Sequence, residues 1–395
     1  MFGRETNEEC ACIATRIALI FEYPTLNGGE RSQLAALDEL RANHPQISKW
    51  EFTALAPKEG RLAEELARRS IPILPLSLWD AGGKRVPRDR ILNQMTKKLS
   101  PLQPEIIHAN SLSMGRLTGI LSKDISGRRI VHLRDIIRLS KKAIEDLNGN
   151  NRLLAVSQAT KSFHVGQGLD AGKTTVLYNG IDCETFQPRP EEKRLRHEFG
   201  IPEDSFVILC VGQIGLRKGL DVFAEAMISL NETASDVHAA IVGERNSSKQ
   251  ESIDYEQLLH NRFEETGIGR RVHFLGYRDD VHRLMNTADL LVHAAHQEPL
   301  GRVLLEAAAS GLPILATDVG GTSEILRDGE SAMLVPPGDA RLLAENIVAL
   351  KSNPDLRLRL AKSAREDIQE KFTVQTAAKN LAAVWLEERS LFDRF

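Results

Sequence analysis

Glu298-Pro-Leu-Gly-Arg-Val-Leu-Leu-Glu306, with its continuation to Gly321, decides how the rest of the chain is read. Glycine at 301 permits a tight turn or a close backbone approach. From Arg302 the run Arg-Val-Leu-Leu-Glu-Ala-Ala-Ala is made largely of strong helix formers, so the stretch reads as a loop entering a helix. The N–H groups of a first helical turn have no carbonyl partner inside the helix and make a ready anion site. Glu298 stands just before that turn and Glu306 lies further along the helix. One carboxylate is thereby set beside a bound group and the other further along the same ligand. Hydroxyls at both ends with an anion between them is the shape of a sugar carried on a nucleoside diphosphate.

Outward from this segment, apolar strand-like runs alternate with helical stretches. Strands are expected near 16–22, 50–56, 71–76, 105–109, 129–133, 152–156 and 174–178, then near 206–212, 238–243, 271–276, 289–294, 313–317 and 332–335. Helical patterns fill the gaps, as at 30–41, 59–69, 218–229, 252–266, 279–287, 302–310 and 339–351. Continuous apolar strands separated by helices predict parallel sheets covered on both faces. The fold class is α/β: two Rossmann-like, doubly wound parallel-sheet domains facing across a cleft, with ligands at the carboxyl ends of the strands. Gln187-Pro-Arg-Pro-Glu-Glu-Lys-Arg is polar and proline-containing, as a linker should be. The expected division is a flexible tail over 1–14, a first domain over 15–185, a linker over 186–203, a second domain over 204–371 and a C-terminal helix over 372–395 that packs back on one domain through Leu381, Val384, Trp385 and Leu391.

Composition limits the function classes. The chain has 395 residues, 42% hydrophobic and 27% charged, with a formal net charge of −3, so no basic balance points to nucleic acid. Cys10 and Cys12 form a Cys-x-Cys pair without a second pair to complete a zinc site, and Cys183 and Cys210 stand alone, which fits reduced thiols in a cytoplasmic setting. No apolar run reaches the ~20 residues of a membrane helix. Residues 84–98 carry six basic residues against one acidic, Asp89, with Ile91, Leu92 and Met95 between them. The stretch reads either as a peripheral contact with an anionic membrane or, better, as a solvated helix with an ordinary buried stripe.

Further candidates cluster at strand ends. Gly28-Gly29 precede a helix and read equally as a ligand-cradling loop or a plain turn. His108 and His132 each stand at the carboxyl end of an expected strand, where the cleft should be; a single histidine there is more often structural, and the two together with the Gly-Gly loop tip the balance modestly toward a site. Arg217-Lys218 follow Val211-Gly212 and read either as a diphosphate clamp or, more usually for an Arg-Lys pair, as a solvated basic turn. Gly243 and Gly276-Tyr277 end two further strands where the backbone can approach a base, and Thr322 or Ser323 is a candidate cap after Gly320-Gly321. No Asp-x-Asp occurs in the chain, so metal-independent stabilisation of a departing diphosphate by a helix N-terminus and basic side chains is expected.

The assembled pattern resembles the retaining family 4 glycosyltransferases (glycosyl transferases group 1), of GT-B architecture. The resemblance runs through Asn27-Gly-Gly-Glu30, Glu105-Ile-Ile-His-Ala-Asn110, Ile130-Val-His132, Leu177-Tyr-Asn-Gly-Ile-Asp182, Val211-Gly-Gln to Arg-Lys-Gly219, Ala288-Asp-Leu-Leu-Val292 and the Glu-x7-Glu segment through Gly321. It implies transfer of a sugar from a nucleotide-sugar donor to an acceptor hydroxyl, with no cofactor. It places Glu298 and His132 at the donor sugar and reaction centre, Glu306 at the ribose, and Lys218 at the diphosphate. Gly28, Gly29, Arg217, Gly243, Tyr277, Leu300, Gly301, Arg302 and Val303 line the donor site, while His108 and Glu30 fall on the acceptor side. Gln213 departs from the pattern, since many members carry an arginine there that contacts the diphosphate, and Arg217 or Arg302 is the candidate replacement. Two alternatives share the architecture: a sugar-nucleotide 2-epimerase, which needs no acceptor, and a non-catalytic nucleotide-sugar-binding subunit.

Overall fold

The computed structural model describes residues 14–394 apart from 81, 122, 123, 232 and 246. The expected N-terminal tail up to residue 13, with Cys10 and Cys12, lies outside the described residues. Two sheets carry the fold. The first is built from β1 (Arg16–Ile20), β2 (Glu51–Ala56), β3 (Ile73–Pro75), β4 (Ile106–Ala109), β5 (Arg128–Leu133), β6 (Arg152–Ala155) and β7 (Thr174–Val176), in the order β3-β2-β1-β4-β5-β6-β7. The second is built from β8 (Phe206–Val211), β9 (Val237–Val242), β10 (Val272–Gly276), β11 (Leu290–His293), β12 (Ile314–Thr317) and β13 (Met333–Val335), in the order β10-β9-β8-β11-β12-β13. All the strand pairings within the two sheets are parallel. Strands such as Ile106-Ile-His-Ala109 and Val237-His-Ala-Ala-Ile-Val242 are buried at every position, because helices cover both faces.

In each sheet the strand order reverses once, between β1 and β4 and between β8 and β11. The loops leaving neighbouring strands diverge there, opening a crevice at the carboxyl ends. Gly28-Gly29 follow β1, Lys218 follows β8 and Glu298 follows β11, so the topology alone delivers these residues to the two crevices.

The stretch 186–203 is not a free connection. It contains the helix Lys193–Glu198, and Phe186, Leu195 and Ile201 are buried in the core of the second domain. The two prolines at 188 and 190 mark the polar approach to this helix, whereas the apolar residues after them decide where the segment goes. The helix Val374–Phe392 returns to the first domain. The chain crosses over beside Ile181, whose carbonyl accepts from Val374 N. Ala378, Leu381, Ala382 and Trp385 then join the core that contains Ile106, Ile130 and Leu154. Glu388, almost fully buried, pairs with Arg128 at 2.7 Å and Arg152 at 3.1 Å, which pins the far end of this helix to β5 and β6.

In the helix Arg88–Leu102, Ile91, Met95 and Leu99 are buried and Leu92 packs against the same core. The apolar residues of the basic stretch are therefore spent inside the first domain, and no helix among the described residues is long and apolar enough to cross a membrane. Any attraction of 84–98 to an anionic surface then rests on charge. Sedimentation with anionic vesicles is expected to be weak and to vanish at 1 M salt, where the screening length is about 3 Å. Binding that survives high salt would show apolar insertion instead.

Candidate active site between the two sheets

The loop after β11 carries Glu298 to the entrance of the helix Arg302–Ala309, whose N-cap, Gly301, has φ 96°, a left-handed conformation suited to glycine. The Glu298 carboxylate is buried and surrounded by cationic and N–H groups. Its Oε2 lies 2.6 Å from Lys218 Nζ, 3.0 Å from His293 Nε2 and 3.6 Å from Arg217 Nη1. Burial opposes ionisation of Glu298, but Lys218, His293 and Arg217 together hold its carboxyl well below the usual range. Burial, followed by the charge of Lys218, pushes the His293 pKa down, so the imidazole is neutral at pH 7 and donates Nε2–H to Glu298. Burial also lowers the Lys218 pKa, against the pull of Glu298.

Glu306 lies one turn into the same helix, with Oε1 accepting from Arg302 Nε at 2.8 Å. Both residues line a cavity of about 300 Å³ between the domains, together with Gly28, Gly212, Gln213, Gly243 and Tyr277. Arg302 also crosses the cleft to donate to Ser32 Oγ at 3.0 Å. Leu300 and Val303 turn their side chains into the core of the second domain, so only their backbone can meet a ligand. A second cavity of about 20 Å³ adjoins the first at Gly212 and Gln213 and reaches Lys218 and His293. The expected cap at Thr322 is not made: the short helix Thr322–Ile325 begins at that residue, and the Thr322 hydroxyl is buried without a partner among the described residues. Among the described residues, no group of three or more His, Cys, Asp or Glu side chains is placed to hold a metal ion.

The facing wall comes from the first domain. Gly28 and Gly29 are the first residues of the helix Gly28–Asn43 rather than a separate loop. A Cβ on Gly29 would stand 2.8 Å from Arg134 Cδ, so glycine here makes room for a guanidinium beneath the helix start. Arg134 donates to Asn110 Oδ1, Asn179 Oδ1 and His132 Nδ1 at 2.9–3.2 Å. Burial lowers its pKa to about 10, which leaves it charged at neutral pH.

Two residues expected on the acceptor side, His108 and Glu30, lie in the buried interior of the first domain. His108 is 1% exposed, with Nε2 at 3.1 Å from His132 Nδ1 and Nδ1 accepting from Trp385 Nε1 at 3.1 Å. Both ring nitrogens are used inside the domain, behind His132, so His108 does not meet a ligand. Glu30 closes a capping box with Asn27: its Oε2 accepts from Asn27 N at 3.1 Å and its Oε1 faces Asn110 Nδ2 at 3.5 Å. Burial raises its carboxyl. Its place is in the helix start and the buried network beneath it.

Tyr277 lines the cavity, but its ring is also held across the cleft. Arg61 stacks its guanidinium 3.5 Å from the ring centroid, and Arg31 donates to the hydroxyl at 2.5 Å and to Asp279 at 3.1 Å. Sequence reasoning missed Arg31, Arg61, Arg134 and His293. Arg134 carried a usable signal, because side chains alternate along a strand and residue 134, two beyond His132, continues on its face. Arg31 and Arg61 carried none, since their partner lies more than 200 residues away.

Two doubly wound parallel sheets joined by a cavity, with an ionised carboxylate at a helix start, define a two-domain α/β protein of GT-B architecture. Residues 191–367 match Glycosyl transferases group 1 and residues 26–185 match Glycosyltransferase Family 4, so both domains are covered and the chain belongs to this glycosyltransferase family. It is 31% identical to EpsD of Bacillus subtilis over 198 residues, 49% of this chain and 50% of EpsD, so the match spans about half of that relative. It is 25% identical to the lipopolysaccharide core biosynthesis mannosyltransferase LpsB of Rhizobium meliloti, over 76% of this chain and 91% of LpsB. The fold superposes on Anabaena HepE, solved in complex with UDP-glucose, with a TM-score of 0.81 at 24% identity, over 94% of this chain and 99% of HepE.

Proposed function

We propose that this chain transfers a sugar from a nucleoside-diphosphate sugar to an acceptor hydroxyl with retention of anomeric configuration. The observation that carries the reading is the pair of carboxylates on one helix entrance: Glu298, ionised within a Lys–His–Arg cluster, and Glu306, on the wall of the interdomain cavity. The ribose hydroxyls meet Glu306, the diphosphate lies at the N–H groups of Gly301 to Val303, and the sugar reaches toward Glu298 and His132. Negative charge growing on the diphosphate is met by Lys218 and the helix N-terminus. Arg217 and Arg302 are each held on two sides, Arg217 by the Gln297 carbonyl and Glu298 and Arg302 by Glu306 and Ser32, and either is the candidate cation that makes up for Gln213.

Glu298 works by charge. A carboxylate gripped by Lys218 and His293 is a weak nucleophile, but its field favours an oxocarbenium-like transition state. The acceptor then attacks from the face that the diphosphate leaves, and a departing phosphate oxygen takes the acceptor proton. Domain closure excludes the water that would otherwise hydrolyse the donor. UDP sugars head the donor panel because HepE, which has the same fold, was solved with UDP-glucose.

Glu306→Ala and Lys218→Ala are each expected to weaken nucleoside-diphosphate binding by roughly 10- to 100-fold, the scale of a lost charged hydrogen bond. Titration calorimetry against a nucleotide panel measures this, and unchanged affinity in both variants would remove the site. Incubating donor alone, with no isomerised sugar formed, separates a transferase from an epimerase. The anomeric coupling constant of the product reports retention.

A further inference from the structure

We propose that Trp385, on the C-terminal helix, is a positioning residue for His132: acting through His108, it fixes the tautomer in which His132 offers an Nε2–H to the donor sugar. The proposal rests on the sugar-side role of His132 given above and deepens it.

The strand register sets up the contact. His108 pairs with Ile130, and His132 follows Ile130 by two residues, so both imidazoles project from the same face of the sheet. The helix Val374–Phe392 covers that face, and Trp385 is fully buried there between Phe52, Trp50 and His108. Its indole nitrogen carries a hydrogen and no acceptor lone pair, so it can only donate. At 3.1 Å from His108 Nδ1, it forces that nitrogen to be the acceptor.

The consequence passes along the line. Burial, with the charge of Arg134, holds the His108 pKa down at about 3, so the ring is neutral and its single proton sits on Nε2. That Nε2–H points at His132 Nδ1, 3.1 Å away. Arg134 Nη2 reaches the same Nδ1 at 3.2 Å and can also only donate. His132 Nδ1 therefore accepts from two sides. Burial, Arg134 and His108 all disfavour the imidazolium, so His132 is neutral with its proton on Nε2. No hydrogen-bond partner among the described residues occupies that Nε2.

Both results suit a glycosyl transfer. A fixed Nε2–H can donate to a sugar oxygen in every turnover, whereas the other tautomer would present a lone pair there. A neutral ring also adds no positive charge beside an oxocarbenium-like sugar. Arg134 alone would bias Nδ1 toward accepting, but its Nη2 is shared with Asn110. The indole, which cannot accept, makes the direction of the line unconditional.

The test uses the full chain with ¹⁵N-labelled histidine and long-range ¹H–¹⁵N correlation. In the wild type, both His108 and His132 should show the Nε2–H pattern. Trp385→Phe keeps a ring among Phe52 and Trp50 but removes the N–H. In it His108 and His132 should each show mixed tautomers. Turnover of the sugar donor should fall by roughly 10- to 100-fold, the scale of losing a group that orients a reacting ligand. Affinity for the bare nucleoside diphosphate should change less than twofold. His108→Gln spans the same gap with an accepting oxygen and a donating amide, and should keep most of the turnover and the His132 pattern. His108→Leu should lose both, and this pair leaves the C-terminal helix untouched. A His132 that stays Nε2–H in Trp385→Phe and in His108→Leu, or mixed tautomers with wild-type turnover, would overturn the proposal. Wild-type turnover in His132→Phe would instead overturn the sugar-side role of His132 on which it rests, whatever the tautomer patterns show.

Discussion

Replacing Glu298 with glutamine is expected to lower kcat by about 10³ and to destabilise the fold as well. The amide keeps the shape of the side chain but not its charge. Removing one electrostatic group aimed at a transition state typically costs about 10²–10³ in rate. A covalent nucleophile would cost far more, so a residual rate near 10⁻³ of wild type supports action through the field, and complete inactivation with rescue by azide would support a glycosyl-enzyme intermediate. The stability effect has a separate cause. Lys218, with 15% of its side chain exposed, lies 2.6 Å from the buried Glu298 carboxylate, and removing one partner of such a largely buried pair leaves the other uncompensated, at a cost of up to about 3–5 kcal/mol. The double variant Glu298→Gln/Lys218→Met should recover much of the unfolding midpoint and none of the activity. The same pair sets a pH dependence. The Glu298 carboxyl is held below its ordinary value of 4.5, so its contribution to stability is complete above that pH and is lost on acidification below it. Wild type should lose stability in that range, and Glu298→Gln should lack that part of the acid transition.

How far the sequence reaches is seen by comparing Glu298 with His293. The spacing of Glu298 and Glu306 against a glycine and a helix start is local, and the structure keeps them on one helix entrance as the spacing implies. The strands were equally legible, because a strand buried on both faces leaves an unbroken apolar run. His293 closes Leu290-Leu-Val-His293, where it reads as the end of a core strand; only the fold of the next five residues brings Glu298 back onto its Nε2. His108 shows the same limit. Strand-end position indicates which edge of the sheet a residue occupies, but not what covers its face, and here the cover is Trp385, 277 residues away. The run after Gln187 is polar and proline-containing, yet Leu195 and Ile201 close behind it pack as core. Proline and charge report local backbone and solvation; burial is decided by partners elsewhere in the chain.

Gly320→Ala should cost catalysis roughly 10²-fold, although residue 320 bears no functional group. Gly320 has φ 56°, and a Cβ placed on it would stand 1.9 Å from the Glu298 carbonyl oxygen. The same carbonyl accepts from Gly321 N at 3.0 Å, so the turn after β12 is what holds the backbone of Glu298 in place. Alanine must therefore push that backbone away by about 1 Å, and the carboxylate with it, out of reach of Lys218 and His293. A misplacement of 1 Å at a reacting centre can cost roughly 10²-fold. The left-handed backbone adds its own strain, about 1–2 kcal/mol for a residue with a side chain. Gly329→Ala separates the two effects, because Gly329 has φ 68° with nothing among the described residues within 4 Å of the added Cβ. It should lower the unfolding midpoint by a similar strain and leave kcat unchanged. Equal activity in the two alanine variants would mean that the carbonyl of Glu298 tolerates displacement and that the carboxylate is not held by this turn.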